Sequence, residues 1–119
     1  VLRAIRGATT AENTSDSIIG NTKCLLEEIL AANNLEINQV ISVLFTCTKD
    51  LNAVYPAVAA RELGMMQASL MCVQEADVVD SLPQCIRIQI MADMDVAQKD
   101  VRHVYLKETR SLRPDLIND

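Results

Sequence analysis

The period of the apolar positions changes along the 119-residue chain and marks out its elements. Val1 to Ala8 reads as a strand, closed by Gly7 and the Thr9-Thr10 pair. Thr14, Ser15 and Asp16 then offer N-cap oxygens, and Ile18, Thr22, Leu25, Ile29 and Ala32 recur at helical spacing. Leu26 and Leu30 widen this stripe, Lys23, Glu27 and Glu28 face away from its centre, and Asn33-Asn34 ends the helix. Gln39 to Cys47, rich in Val, Ile, Leu and Phe, is a second strand, and the polar stretch Thr48 to Asn52 is a turn. A short helix is expected over Ala53 to Leu63, with Pro56 in its first turn and Gly64 ending it. Ala68 to Val73, Cys85 to Ala92 and Val101 to Leu106 read as three more strands. The charged segment from Lys107, which contains Pro114, is expected to be a mobile tail of one domain spanning 1–119.

The order β-α-β-α-β-β-β predicts an α+β fold, a mixed β-sheet with helices on one side. The length allows one domain and one core. Val40 to Phe45 and Ile86 to Ala92 are apolar at positions on both faces. So short a chain has difficulty covering such strands twice, which points to a partner subunit.

Charge narrows the function. A formal net charge of −5 lacks the basic footprint that nucleic-acid phosphates demand, so no nucleic-acid partner is expected. Within that acidic total the cations are unusual: Arg3, Arg6, Arg61, Arg87, Arg102, Arg110 and Arg113 make up seven of the eleven. Arg presents a rigid fork suited to carboxylate or phosphate. Surface ion pairs account for most of these, leaving a few for a ligand. Cys24, Cys47, Cys72 and Cys85 form no C-x-x-C pair, so neither a zinc site nor a disulfide framework is expected. Reduced, buried thiols in a cytoplasmic protein are the expectation. No apolar run has the length of a membrane span, and no membrane association or targeting segment is expected.

Arg87 is the most informative residue. It lies mid-strand, with Ile86, Ile88 and Ile90 on one face and Cys85, Arg87, Gln89 and Met91 on the other. A guanidinium there either pairs with a carboxylate such as Glu75 or Asp77, or waits for an anion. Position alone leaves the two even. Glu75 follows an apolar strand where it meets a loop, and Cys72 precedes it by three residues, more in the manner of packing than of a nucleophile. His103, the only histidine, shares a strand face with Tyr105, whose phenol needs a partner if buried. Arg6 precedes Gly7, where something can approach the backbone closely. No phosphate-binding loop, dinucleotide fingerprint or metal motif is present, so the chain reads as one that binds through Arg without cofactor or metal.

Six segments resemble those of the small trimeric chorismate mutases of bacteria and cyanobacteria. They are Ile5-Arg6-Gly7-Ala8-Thr9-Thr10, Ala53-Val54-Tyr55-Pro56-Ala57 with Arg61-Glu62, Cys72-Val73-Gln74-Glu75, Cys85-Ile86-Arg87, Arg102-His103-Val104-Tyr105-Leu106, and Leu112-Arg113-Pro114-Asp115-Leu116. The match spans nearly the whole chain in order. It implies a homotrimer with a pseudo-α/β-barrel core and active sites at subunit interfaces. It also implies the rearrangement of chorismate to prephenate, a concerted [3,3]-sigmatropic shift in phenylalanine and tyrosine biosynthesis that needs no covalent catalysis. By the family pattern Arg87 donates to the breaking ether oxygen and to a carboxylate, and Glu75 accepts from the substrate hydroxyl, helped by Cys72. Arg6 and Tyr105 hold a carboxylate, Tyr55 and Ala57 form an apolar wall, Arg61 stands near the mouth, and Leu112 and Arg113 close over the site. Two positions depart from relatives: Val58 where they can carry Lys, and Met71, beside the substrate, where they can carry Thr. A same-fold imine or enamine deaminase and a non-catalytic dicarboxylate-binding trimer are the competing readings.

Overall fold

A computed structural model describes residues 1–111 of the chain. The elements are β1 (Leu2–Thr10), α1 (Ser15–Ala32), β2 (Val40–Cys47), α2 (Ala57–Glu62), β3 (Ser69–Gln74), β4 (Cys85–Asp93) and β5 (Val104–Tyr105). Short 3-10 turns cover Ile37–Gln39, Gln98–Asp100 and Lys107–Ser111. The expected order of strands and helices is observed. The five strands form one mixed sheet in the order β3-β2-β4-β1-β5. β4 runs antiparallel to both β1 and β2, while β2–β3 and β1–β5 are parallel pairs.

The α1 stripe buries Ile18, Thr22, Leu25, Leu26 and Ile29 against the sheet. Thr22 is tolerated there because its hydroxyl donates to the Ile18 carbonyl at 2.6 Å. Thr14 caps the helix by accepting the Ser17 N–H. Ala32, expected in the stripe, is exposed at the last turn. From the strands, Ile5, Val43, Phe45, Ile86, Ile88 and Ile90 meet the helices in a single core. The other face carries Arg6, Leu44, Thr46, Arg87 and Gln89, by strand alternation and cross-strand register. The described chain leaves Leu44, Met71 and Val73 exposed there.

Three sequence expectations are corrected. β1 does not close at Gly7, because Thr9 and Thr10 continue the ladder against Ile86 and Cys85. α2 is half as long as expected and starts after Pro56. A residue before proline is pushed out of the helical region, and the Asn52 and Ala53 N–H groups bond the Asn13 side chain instead. The start of the last strand is lost to side chains: Asn33 pairs with both the N–H and C=O of Arg102, and the His103 Nδ1 accepts the Arg6 N–H. Residues 107–111, placed in the expected tail, form a 3-10 turn beside β1. Thr109 is buried, and its hydroxyl donates to the carbonyls of Ala8 and Leu106. Gly64 ends α2 as expected, with φ +96°.

Candidate active site

One register row crosses the whole sheet on its helix-free face. Val73 pairs with Thr46, Thr46 with Arg87, Arg87 with Ala8, and Ala8 with Tyr105, one residue from each strand. Cross-strand partners share a face, so the row places the Arg87 and Tyr105 side chains on either side of the small Ala8. Arg6 lies two residues earlier on β1, opposite Gln89 and on the same face.

Arg87 is therefore not buried. Its side chain is 50% exposed, and its Nε stands 3.1 Å from Glu75 Oε1. Of the two carboxylates left open as partners, Glu75 takes Arg87 and Asp77 pairs with Lys49 at 3.0 Å. The reason is local. The Glu75 N–H donates to the Cys47 carbonyl at 2.8 Å, which carries the β2–β3 pairing one residue past the strand end. The Glu75 side chain then projects over Thr46, whose hydroxyl donates to the same Oε1 at 3.0 Å. Thr46 escaped the sequence reading. Its only signal was a hydroxyl at an alternate position of an apolar strand.

A cleft of about 570 Å³ opens beside this pair, lined by Glu75, Arg87, Cys85, Val78 and Leu82 among others. Burial pushes the Cys85 thiol pKa up, against the opposing pull of the Arg87 guanidinium.

A second cleft, of about 590 Å³, lies where the loop after β2 meets the end of β3. Cys47, Cys72, Tyr55 and Gln74 line it. Cys72 pairs with Phe45 and so sits on the helix face, where its thiol meets the Ala57 N–H. Its pKa is raised by burial, opposed by that N–H and by the Arg61 guanidinium. Burial likewise raises Cys47 to about 11, with Cys72 and Cys85 adding to the effect. Neutral thiols of this kind make poor nucleophiles and fair weak donors. Cys24, expected to be buried, is exposed on α1. Its place, one residue before the buried Leu25, turns it outward.

The structure thus divides the candidates. Arg87, Glu75, Arg6 and Tyr105 share the helix-free face, with Tyr105 only 8% exposed. Tyr55, Cys72, Ala57 and Arg61 gather around α2, with Tyr55 70% exposed at the cleft and Ala57 buried. Met71 lies on the helix-free face of β3, opposite Leu44, and is 61% exposed. Leu112 and Arg113 lie outside the described residues. The close approach at Gly7 belongs to packing rather than to a ligand. A Cβ there would stand 2.7 Å from Ile29 Cδ1 and 3.2 Å from Leu25 Cδ1. Among the described residues, no cluster of three or more His, Cys, Asp or Glu could hold a metal ion. No helix among them is long and apolar enough to cross a membrane.

Residues 2–116 match the family described as chorismate mutase type I. The chain is 45% identical to the chorismate mutase AroH of Bacillus subtilis over 118 residues, covering 98% of this chain and 93% of that protein. It is 42% identical to the AroH of Thermus thermophilus, covering 98% and 97% respectively. Its fold superposes on a chorismate mutase from Clostridium thermocellum with a TM-score of 0.89 and 47% identity, over 91% of this chain and 97% of the other.

Proposed function

The chain belongs to the type I chorismate mutases, and from that membership we propose how it converts chorismate to prephenate. The observation that carries the reading is Arg87, half exposed on the helix-free face beside Glu75, with Arg6 and Tyr105 on the same face. Chorismate is a flexible dianion that must be held compact for its [3,3]-shift. As the ether C–O bond breaks, negative charge grows on that oxygen. A guanidinium aimed at this oxygen interacts more strongly with the transition state than with the ground state, and so raises the rate. Arg87 fills that role. Glu75 accepts from the substrate hydroxyl, and Arg6 and Tyr105 hold a carboxylate. No nucleophile or proton transfer enters this scheme, in keeping with thiols whose pKa values are raised.

The division of the candidates supports a composite site. In the proposed homotrimer the helix-free faces meet as the barrel core. The Arg87 cleft of one subunit then faces the cleft of Tyr55, Cys72, Ala57 and Arg61 on its neighbour. Met71 stands at the seam. Such an enzyme works in the cytoplasm, without cofactor, on a small-molecule substrate.

Incubation with chorismate, followed by the loss of its diene absorbance, tests the activity. Arg87→Ala is expected to lower turnover by about 10²–10³-fold, the worth of one preorganised donor, while the fold and assembly persist. Near-normal turnover in that variant would sink the mechanism. Tight binding of chorismate without conversion by the unaltered protein would favour a sensor instead.

A further inference from the structure

Thr46 is the residue whose position the site explains and no reading above uses. We infer that it is a positioning residue, whose hydroxyl fixes the Glu75 carboxylate so that Arg87 stays available to the substrate. The inference rests on the roles proposed above for Arg87 and Glu75. Two groups converge on one oxygen: the Thr46 hydroxyl donates to Glu75 Oε1 at 3.0 Å, and Arg87 Nε stands 3.1 Å from it. Glu75 Oε2 instead meets the N–H of Ala76 at 3.3 Å. The register makes this arrangement possible, since Thr46 lies directly opposite Arg87 on β4 and next to Val73 on β3. The hydroxyl therefore stands between the strand that carries the cation and the strand end that carries the anion.

A carboxylate beside a guanidinium gains most by facing it with both oxygens, because the two parallel N–H donors of the fork match the two acceptors. A Glu75–Arg87 fork of that kind would occupy the donors that the breaking ether needs and the acceptor that the substrate hydroxyl needs. Thr46 opposes it. By holding Oε1, the hydroxyl sets the rotation of the carboxyl plane and keeps Oε2 turned towards the Ala76 amide. The Thr46 hydroxyl donates to the carboxylate, so its influence passes through Glu75.

The test compares Thr46→Val, which keeps the shape and removes the donor, with Thr46→Ser, which keeps the donor. Thr46→Val is expected to lower kcat about tenfold, the worth of one hydrogen bond to a charged group, with KM changed far less. Thr46→Ser should stay within about twofold of the unaltered enzyme. In a Glu75→Ala background, Thr46→Val should have almost no further effect, because the acceptor it positions is gone. Unchanged kcat in Thr46→Val, equal losses in Val and Ser variants, or a full Thr46 effect in the Glu75→Ala background would each overturn the inference. Arg87→Ala, run alongside, separates the two levels. If Arg87→Ala loses turnover and Thr46→Val does not, only the role of Thr46 fails. If Arg87→Ala keeps its turnover, the underlying site reading fails.

Discussion

Neighbouring residues of β2 lie on opposite faces of the sheet and meet different chemistry. Thr46 points to the charged, helix-free face, and Cys47 points to the helix side, where burial raises its thiol pKa from 9.0 to about 11. A raised thiol pKa means that the folded chain holds this proton more tightly than the unfolded chain does. The stabilisation is complete below about pH 9 and is lost as the pH climbs towards about 11. Denaturant midpoints measured across that window should fall more steeply for the unaltered protein than for Cys47→Ala. Parallel slopes would show that Cys47 does not hold its proton in this way. Thiol alkylation at neutral pH should reach the exposed Cys24 first, read by mass spectrometry of the digested protein.

Elements meet closely where α1 crosses β1. Gly7 sits in the middle of a strand, a costly place for glycine unless something needs the space. Ile29 and Leu25 fill it, and the Val104 carbonyl stands 3.1 Å from where a Cβ would be. Gly7→Ala should therefore lower stability by about 1–2 kcal/mol despite the better strand propensity of alanine, measured by denaturant unfolding. Equal or greater stability would mean that the Ile29 and Leu25 side chains move aside at no cost. The same crossing accounts for the correction at this position. Gly7 resembles a strand terminator in the sequence, because the helix that requires it is distant in the chain.

The whole molecule presents two unlike faces. One side of the sheet is covered by α1 and α2; the other exposes Leu44, Met71 and Val73 around Arg87. Apolar surface grouped in this way marks an interaction site. In the proposed trimer this face is buried, so Leu44→Glu should dissociate the assembly and abolish turnover together. Sedimentation and chorismate turnover, followed over a range of protein concentrations, measure both. A monomer with full turnover would end the composite-site reading. An intact, active trimer would show that Leu44 lies outside the contact.

Period and capping were enough to order the elements, because the α1 stripe and the alternation of β4 are local signals that burial respects. They were also enough to put Arg87 on the face opposite the isoleucines. Element ends were less legible. Pro56 marked its helix, but the start of α2 depended on Asn13 taking the Asn52 and Ala53 N–H groups, and the length of β5 depended on Asn33 taking the Arg102 backbone. The partner of Arg87 was beyond the sequence altogether. Glu75 and Asp77 are equivalent in a list of residues, two positions apart and equally charged. Only the parallel pairing of β2 with β3, prolonged by the Glu75 N–H to the Cys47 carbonyl, sends one to Arg87 and leaves the other to Lys49. Local pattern fixes which way a side chain points. Which group it meets there is decided by strand register, and register is set by contacts between residues far apart in the chain.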